Sequence, residues 1–315
     1  MRVEGRIAGL FVHPVKGCRG TSLEEAVLEQ RGLRHDRRWT VVTPEGRFLT
    51  QRELPALARV VPRLEAERLV LEVEAPARGR SNEPDRGCGV AREPGTDATA
   101  RGAVPVTDEG ERLRVRVWHD EVDAGCPSPQ ADALLSGLLG REARLVRFPE
   151  AAVRACDPTF APEGAHTGFA DAFPLLVTTE ASLVELNEAL MERGEEPVPM
   201  ARFRPNIVVA GVPARAEDRH AWIEIAGRVR LALVKPCDRC VVTTTDQTTG
   251  ERLGEEPLRT LGRIRRNPAT GGVWFGQNAV PLLPDEASAV LRVGTACRFV
   301  PASAARGARL SEHEL

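Results

Sequence analysis

The predicted fold rests first on residues 39–50, which read WTVVTPEGRFLT. Two apolar, β-branched runs at 39–43 and 47–50 flank Pro44-Glu45-Gly46, a turn tripeptide, so they predict a hairpin. Further strands are predicted at 6–12, 69–73, 113–118, 144–148, 174–177, 206–210, 222–226, 229–234, 241–245 and 291–299. Many short strands separated by turn residues indicate a barrel or a sandwich.

Helices are expected to be few and peripheral. Ser128 can cap a helix that runs to Leu139, and Thr179 with Ser182 can cap a second one through Leu190. Residues 258–265, directly after a proline, predict a third short helix. The expected fold class is therefore mixed α/β and rich in strands.

The length of 315 residues predicts about two domains, and we place their boundary near 145–150. Residues 77–104 are rich in Gly, Pro and charged residues and poor in apolar ones. This composition predicts a mobile insertion between two strands, in which Cys88 is an incidental exposed thiol.

Charge and hydropathy exclude several classes of protein. The formal net charge is -2 with no basic stripe, which argues against nucleic acid as a partner. No apolar run approaches the ~20 residues that span a bilayer, and the N-terminus lacks a signal peptide. We therefore expect a cytoplasmic protein without a membrane partner. Seven scattered cysteines, an odd number, are not typical of a disulfide framework.

The strongest local motif is Cys237-Asp238-Arg239-Cys240. A structural zinc site needs about four ligands, yet no second pair and no His-x-x-x-His accompanies it. A thioredoxin-like pair lies at a helix N-terminus, whereas a β-branched run, 241–245, predicts a strand after this one. Two buried packing thiols remain an alternative. Lys235 and Arg239 flank the pair and favour a thiolate that binds a soft metal.

Cationic loops precede strands at several places in the chain. The loop 13–20 holds Lys16 beside Gly17, the segment 32–39 holds three arginines with Asp36, and the segment 202–209 holds two arginines with an asparagine. Each alone is compatible with a solvated charged turn. Together with a basic-flanked thiolate they favour an anionic, heteroatom-rich ligand that carries a metal. Within that set, the amide of Asn206 can read a heterocycle edge. Trp274 to Asn278 forms either a pocket wall or a core turn.

The chain resembles the MOSC superfamily, and more closely the proteins that join an N-terminal MOSC β-barrel domain to a MOSC domain. Amidoxime-reducing components and bacterial reductases of N-hydroxylated bases belong to this group. The resemblance covers roughly 5–300. It rests on the ordered motifs His13-Pro14-Val15-Lys16, Asp36-Arg37-Arg38-Trp39, Phe203-Arg204-Pro205-Asn206, Cys237-Asp238-Arg239-Cys240 and Phe275-Gly276-Gln277-Asn278. It implies an N-terminal barrel domain at 1–147, a MOSC domain at 148–303 and a tail at 304–315.

The resemblance implies a molybdenum–molybdopterin cofactor between the domains, in a pterin or a dinucleotide form. The cofactor's dithiolene binds molybdenum, and Cys240, the second cysteine of the pair, supplies a third sulfur. Further positions are implied to line the cofactor: Lys16, Gly17, Arg37, Asp171, Arg204, Asn206, Asp238 and Arg239.

The sequence departs from the family pattern at four positions, two of them in this set. Gly17 replaces a serine, so its backbone amide is the expected donor there, and Ala172 and Phe173 replace a hydroxyl-bearing pair. Asp238 replaces the serine between the cysteines, and we expect Arg239 or Lys235 to balance its charge.

The implied activity is the reduction of N-hydroxylated compounds from N–OH to N–H, with oxygen transfer to molybdenum, in a detoxifying role. No Cys-x4-Cys-x2-Cys spacing occurs, so electrons are expected from a separate flavin or iron–sulfur protein. His13 and Asp238 are the candidate general acids. Two alternatives stay open at this point: a carrier or sulfur-transfer protein for the cofactor, and a non-catalytic relative that binds another anion.

Overall fold

The computed structural model describes residues 2–65, 68–73, 100–106, 110–268, 270–284 and 287–301. The strands are β1 (Val3–Val12), β2 (Val15–Lys16), β3 (Thr21–Leu23), β4 (Glu25–Glu29), β5 (Gly32–Leu33), β6 (Trp39–Val42), β7 (Val60–Glu65), β8 (Arg68–Val73), β9 (Ala100–Pro105), β10 (Glu111–Val117), β11 (Asp120–Cys126), β12 (Arg144–Arg147), β13 (Arg154–Ala155), β14 (His166–Thr167), β15 (Leu175–Thr179), β16 (Ile207–Ala210), β17 (Trp222–Ile225), β18 (Val229–Asp238), β19 (Trp274–Leu282), β20 (Ala289–Arg292) and β21 (Ala296–Val300). The α-helices are α1 (Pro129–Leu139), α2 (Glu180–Met191) and α3 (Leu258–Ile264).

Seven strands close into a barrel in the order β16, β15, β19, β18, β17, β21 and β1, because β1 also pairs with β16. Only the β15–β16 pair is parallel within this ring, and β3 adds an outer strand to β1. Branched and aromatic side chains such as Ile7, Val209, Ile223 and Phe299 fill the interior at 1 % exposure or less. The strand-rich fold class with a β-barrel is confirmed.

The first half of the chain adds smaller sheets around this barrel. A five-stranded sheet runs β10, β11, β12, β6 and β2, and three-stranded sheets form from β7 to β9 and from β20, β4 and β5. Helix α1 starts where the Ala131 amide donates to Ser128 Oγ at 3.2 Å, and it ends at Gly140 in a left-handed conformation. The predicted cap is confirmed, as is that of α2, where Ser182 donates its amide to Thr179.

Strand β1 belongs to the first half of the sequence but pairs with strands of the second half. Its residues face β16 through Ile7↔Val209 and β21 through Val3↔Phe299. The two halves therefore share the barrel and the core inside it, while the first half also has a hydrophobic core of its own. The division at 147 stays a prediction about domains. Residues 74–99, with Cys88 and most of the predicted insertion, and the tail 304–315 lie outside the described residues.

Four local predictions were wrong. Residues 241–244 form one turn of 3-10 helix, because the Thr243 and Thr244 hydroxyls donate to the carbonyls of Cys240 and Val241 at 3.0 and 2.8 Å. These local bonds override the β preference of the run. Residues 100–104 of the predicted insertion belong to β9, which pairs with β8. The segment 291–299 breaks into β20 and β21 around Gly294, whose φ is +87°.

The fourth difference lies in the hairpin. The two arms pair as predicted, because Val42 bridges Phe48 in the antiparallel sense and the Leu49 amide donates to the Val41 carbonyl at 2.7 Å. Only the first arm, β6, is a strand, however, and residues 47–50 make isolated bridges. Trp274 opens the nine-residue strand β19, so this segment is not a turn, and only Asn278 of it lines the cleft described below. Within the described ranges, every helix is too short or too polar to cross a bilayer.

Candidate functional site

One cleft between the two halves of the chain brings all nine predicted site residues together. It has a volume of about 180 Å³ and is open to solvent at one side. The first wall, as we call it, consists of the lining residues from the first half of the chain: Lys16, Gly17, Arg37, Thr50, Gln51, Arg52 and Trp118. The second wall consists of Ala170, Asp171, Ala172, Phe173, Leu175, Leu176, Arg202, Phe203, Arg204, Asn206, Cys237, Asp238, Arg239, Cys240, Val242, Thr243 and Asn278.

Lys16 ties the two walls together near the mouth. Its Nζ donates to the Phe169 carbonyl at 2.8 Å and to Asp171 Oδ1 at 2.6 Å. Burial lowers the pKa of Lys16 although Asp171 acts to raise it. Burial alone would raise the pKa of Asp171, but Lys16 and the Trp118 indole N–H together hold it below its usual range. Asp171 is thus an ionised carboxylate and an acceptor near neutral pH.

Arg37 is held in a left-handed conformation, with φ of +47°. Its Nη1 donates to Asp36 Oδ2 at 2.5 Å and to Asn206 Oδ1 at 3.0 Å, and its Nη2 donates to the Arg204 carbonyl at 3.2 Å. Non-glycine residues seldom adopt this conformation, and strained residues cluster at functional sites. Arg204 and Trp118, which also line the cleft, have φ of +56° and +57°.

Asn206 is fully buried, and protein groups engage both ends of its side-chain amide. Its Oδ1 accepts from Arg37 and from the Leu176 amide at 3.1 Å, and its Nδ2 donates to the Phe11 carbonyl at 3.2 Å. The protein thus engages the amide oxygen twice, and the expectation that Asn206 reads a heterocycle edge stays a prediction. Asn206, on the second wall, also positions Arg37, on the first wall, through this hydrogen bond.

Arg204 carries a charge that burial makes costly. Its Nη1 donates to the amide oxygen of Gln247 at 3.0 Å. Burial, followed by the nearby charge of Arg37, lowers its pKa to about 10. The repulsion that Arg37 exerts on the Arg204 guanidinium favours an anion between or beside them.

Arg239 lies at the end of an aromatic stack. It donates to the Phe275 carbonyl through Nε and Nη2, at 2.8 and 2.6 Å, and to the Phe203 carbonyl at 3.1 Å. Its guanidinium lies 5.6 Å from the Phe203 ring, which stacks on Phe275 at 3.9 Å. These contacts fix the orientation of the guanidinium while its partners remain uncharged.

The two thiols of the motif differ in their surroundings. Cys237 is the last residue but one of the barrel strand β18, and Cys240 lies just before the 3-10 turn; both are partly exposed on the cleft. Burial raises the pKa of the Cys237 thiol, Arg239 opposes this, and Asp171 and Asp238 add to it. Cys237 is therefore a protonated thiol near neutral pH.

The expected partner of Asp238 was wrong. Its Oδ1 accepts from the Trp274 indole N–H at 2.9 Å, whereas Arg239 points its donors at backbone carbonyls. Lys235 lies over the Phe160 ring at 4.5 Å and is absent from the residues that line the cleft. An indole donor therefore stabilises this carboxylate without neutralising it.

His13 does not face the cleft, which removes it as a general acid. It is 4 % exposed, and its Nε2 donates to the Pro205 carbonyl at 3.1 Å. Burial, and then the charges of Arg204 and Arg37, lower its pKa well below the usual value. A neutral buried imidazole at this place joins the two halves of the chain.

Gly17 completes the predicted set on the first wall. Its φ is +83°, a conformation that disfavours the serine of the family pattern, and its carbonyl accepts from Gln51 Nε2 at 2.6 Å.

Three contributors escaped prediction. Trp118 was predicted as the end of a strand, and no prediction covered Gln247. Arg154 supports the loop before β15 by donating to the carbonyls of Gly168, Ala170 and Asp171 at 3.0, 2.5 and 2.7 Å. A lone arginine in an irregular segment offered no signal for this role.

The donor set limits how a metal can bind. No group of three or more His, Cys, Asp or Glu side chains suited to a metal occurs among the described residues. A metal in this cleft would take a thiolate from Cys240 and most of its other ligands from a bound molecule.

Comparisons with known proteins agree with this arrangement. Residues 4–142 match the MOSC N-terminal beta barrel domain, and residues 164–298 match the MOSC domain. Mitochondrial amidoxime-reducing component 1 of Homo sapiens is 32% identical over 272 residues, which cover 83% of this chain and 72% of that protein. Mitochondrial amidoxime reducing component 2 of Homo sapiens is 31% identical over 271 residues, with the same coverage.

A plant protein extends the comparison. Molybdenum cofactor sulfurase of Oryza sativa subsp. japonica is 27% identical over 282 residues, which cover 86% of this chain and 32% of that protein. The MOSC domain and these relatives point to an association with the molybdenum cofactor, whereas the cytoplasmic location stays a prediction. The chain belongs to the MOSC family, in which a MOSC N-terminal β-barrel domain precedes a MOSC domain.

Proposed function

We propose that this protein is a molybdenum-cofactor-dependent reductase of N-hydroxylated compounds. The observation that carries the proposal is the cleft itself, which brings Cys240 together with Lys16, Arg37, Arg204 and Arg239. The names of the human relatives, amidoxime-reducing components, support the same activity.

The residues present fit such a cofactor. Cys240 offers a thiolate for molybdenum, and the cofactor's dithiolene would supply further sulfur ligands. The cofactor's phosphate requires cations that are not already neutralised. Arg204 and Arg239 meet this need, because amide and carbonyl oxygens hold them in place of carboxylates.

When bound, the cofactor supplies a metal that exchanges two electrons and accepts oxygen from N–OH, so that two electrons and two protons yield N–H and water. The chain's own residues bind and orient. Lys16 and Arg37 add positive charge from the first wall, while Asn206 keeps Arg37 in place. Asp171, ionised, accepts hydrogen bonds at the mouth and does not supply the proton.

We further propose that a separate flavin or iron–sulfur protein delivers the electrons. The lack of a Cys-x4-Cys-x2-Cys spacing in this chain supports that arrangement.

The experiment is anaerobic turnover of an amidoxime with reduced viologen dye as the electron donor. Protein made in a host that synthesises the cofactor should form the amidine, and protein from a cofactor-deficient strain of that host should not. Molybdenum-loaded protein that leaves several amidoximes and hydroxylamines unreduced would refute the reductase activity.

A second candidate is a carrier or sulfur-transfer function for the same cofactor. The presence of two thiols on the cleft and the similarity to a molybdenum cofactor sulfurase support it. Mass spectrometry would then show a labile extra sulfur on Cys237 or Cys240, without turnover of amidoximes.

A further inference from the structure

A buried pair of glutamine side chains joins the two sides of the cleft. Gln51 and Gln247 are 1 % and 7 % exposed, although 196 positions separate them in the sequence. Gln51 Nε2 donates to Gln247 Oε1 at 3.0 Å, and Gln247 Nε2 donates to Gln51 Oε1 at 2.9 Å. Each amide supplies both a donor and an acceptor, so each fixes the orientation of the other.

The remaining atoms of the pair connect it to groups that line the cleft. Gln51 Nε2 also donates to the Gly17 carbonyl at 2.6 Å, and Gln247 Nε2 donates to the Thr245 carbonyl at 3.2 Å. Gln247 Oε1 accepts a further bond from Arg204 Nη1 at 3.0 Å. All four side-chain N–H groups of the pair thus have acceptors, and the amide oxygen that meets Arg204 cannot rotate away.

The neighbouring arginine shows why an amide at this place matters. Arg202 faces the carboxylate of Asp246 at 3.5 Å, while Arg204 faces the amide of Gln247, the next residue in the chain. An ion pair cancels the charge of a guanidinium, whereas an amide oxygen orients it and leaves the charge in place. Both arginines line the cleft, but the charge of Arg204 is the one left for a ligand.

We propose that Gln247, locked by Gln51, is a positioning residue that presents the uncancelled charge of Arg204 to a phosphate group of the ligand in the cleft. The identity of that ligand, a pterin phosphate, rests on the proposed function. The anion site itself rests on the contacts above.

Calorimetric titration of inorganic pyrophosphate into cofactor-free full-length protein tests the proposal. Gln247→Glu keeps the acceptor and adds a charge, so pyrophosphate should bind on the order of tenfold more weakly. The unfolding temperature should fall somewhat, because a carboxylate oxygen replaces the Nε2 group that donates to Gln51 Oε1 and to the Thr245 carbonyl, so binding is compared well below the unfolding temperature of both proteins. Gln130→Glu, which makes the same charge change at an exposed site on α1, should bind as the wild type does.

Gln51→Leu provides a second test that adds no charge. It releases the lock and should weaken binding about threefold. Wild-type protein that does not bind pyrophosphate would overturn the proposal, as would Gln247→Glu binding with wild-type affinity. A loss of affinity in Gln247→Glu that is no larger than the loss in Gln51→Leu would show a merely structural role, because both variants break the buried amide pair and only the first cancels the charge of Arg204. None of these results depends on turnover, so a failure of the reductase activity is recognised separately.

Discussion

The two walls of the cleft present different chemistry. The first wall contributes Lys16 and Arg37 from short segments next to β2 and β6, and thus supplies charge without sulfur. The second wall carries both thiols, Cys237 and Cys240, at the end of the barrel strand β18. Metal binding should therefore depend on the second wall, and anion binding on both walls. Substitutions on each wall can separate the two effects.

The largest expected effect distinguishes the two thiols of the second wall. Cys240→Ala removes the proposed metal ligand, so kcat/KM for viologen-driven amidoxime reduction should fall about 100-fold or more. Cys237→Ala should lose roughly threefold or less, because burial keeps this thiol protonated. Equal losses in both variants would contradict the assignment of one cysteine to the metal.

The stability of the contact between the two halves of the chain depends on a neutral His13. Because its pKa is lowered on folding, the unfolded chain takes up a proton below about pH 6.5 that the folded chain does not, and stability falls as pH falls. Between pH 7 and 5 this linkage should cost about 2 kcal/mol of the free energy of unfolding. His13→Gln should remove that difference in chemical denaturation. An unchanged pH dependence would show that His13 is protonated when folded.

The contacts between the two halves of the chain also show which features the sequence could not predict. Period-two patterns and turn residues predicted most strands, and the motif order predicted which residues meet at the cleft. The contacts that orient those residues join distant positions. His13 reaches Pro205 over 192 positions, and Arg37 reaches Asn206 over 169. Such pairs depend on how β1 closes the barrel, which no local pattern contains.

Local preference also failed where side chains bind their own backbone. The run 241–245 is β-branched, yet the hydroxyls of Thr243 and Thr244 stabilise a 3-10 turn beside Cys240. The partner of Asp238 was wrong for a related reason. The register of β18 on β19 places Trp274 opposite Asp238, and charge alone pointed to Arg239.

Loss of charge from the first wall should weaken anion binding and leave the thiols intact. Arg37→Ala in cofactor-free protein should bind pyrophosphate about tenfold more weakly, since one charge-assisted contact is lost. Arg37→Lys keeps the charge but loses the guanidinium group that Asp36 and Asn206 hold in place. Its affinity for pyrophosphate should lie between that of Arg37→Ala and that of the wild type. Calorimetry measures the series, and wild-type affinity in Arg37→Ala would contradict the role of this wall.

A smaller effect is expected for the pH dependence of anion binding. Burial lowers the pKa of Lys16 and, together with Arg37, lowers that of Arg204 to about 10. Both groups lose protons as the pH rises, so sulfate affinity should decline several-fold between roughly pH 8 and 10.5. Lys16→Arg should decline less, because guanidinium holds its proton more firmly. A flat profile for the wild type would show that neither cation contributes.

The central claim is that Cys240 and the cations around it hold a molybdenum cofactor. Molybdenum and pterin should be measured together, by elemental analysis and pterin fluorescence, in protein from a cofactor-competent host. The account predicts near-equal amounts of both per chain in the wild type, and a marked loss of molybdenum in Cys240→Ala. Wild-type protein without molybdenum, or a Cys240→Ala variant with the same molybdenum content, would contradict it.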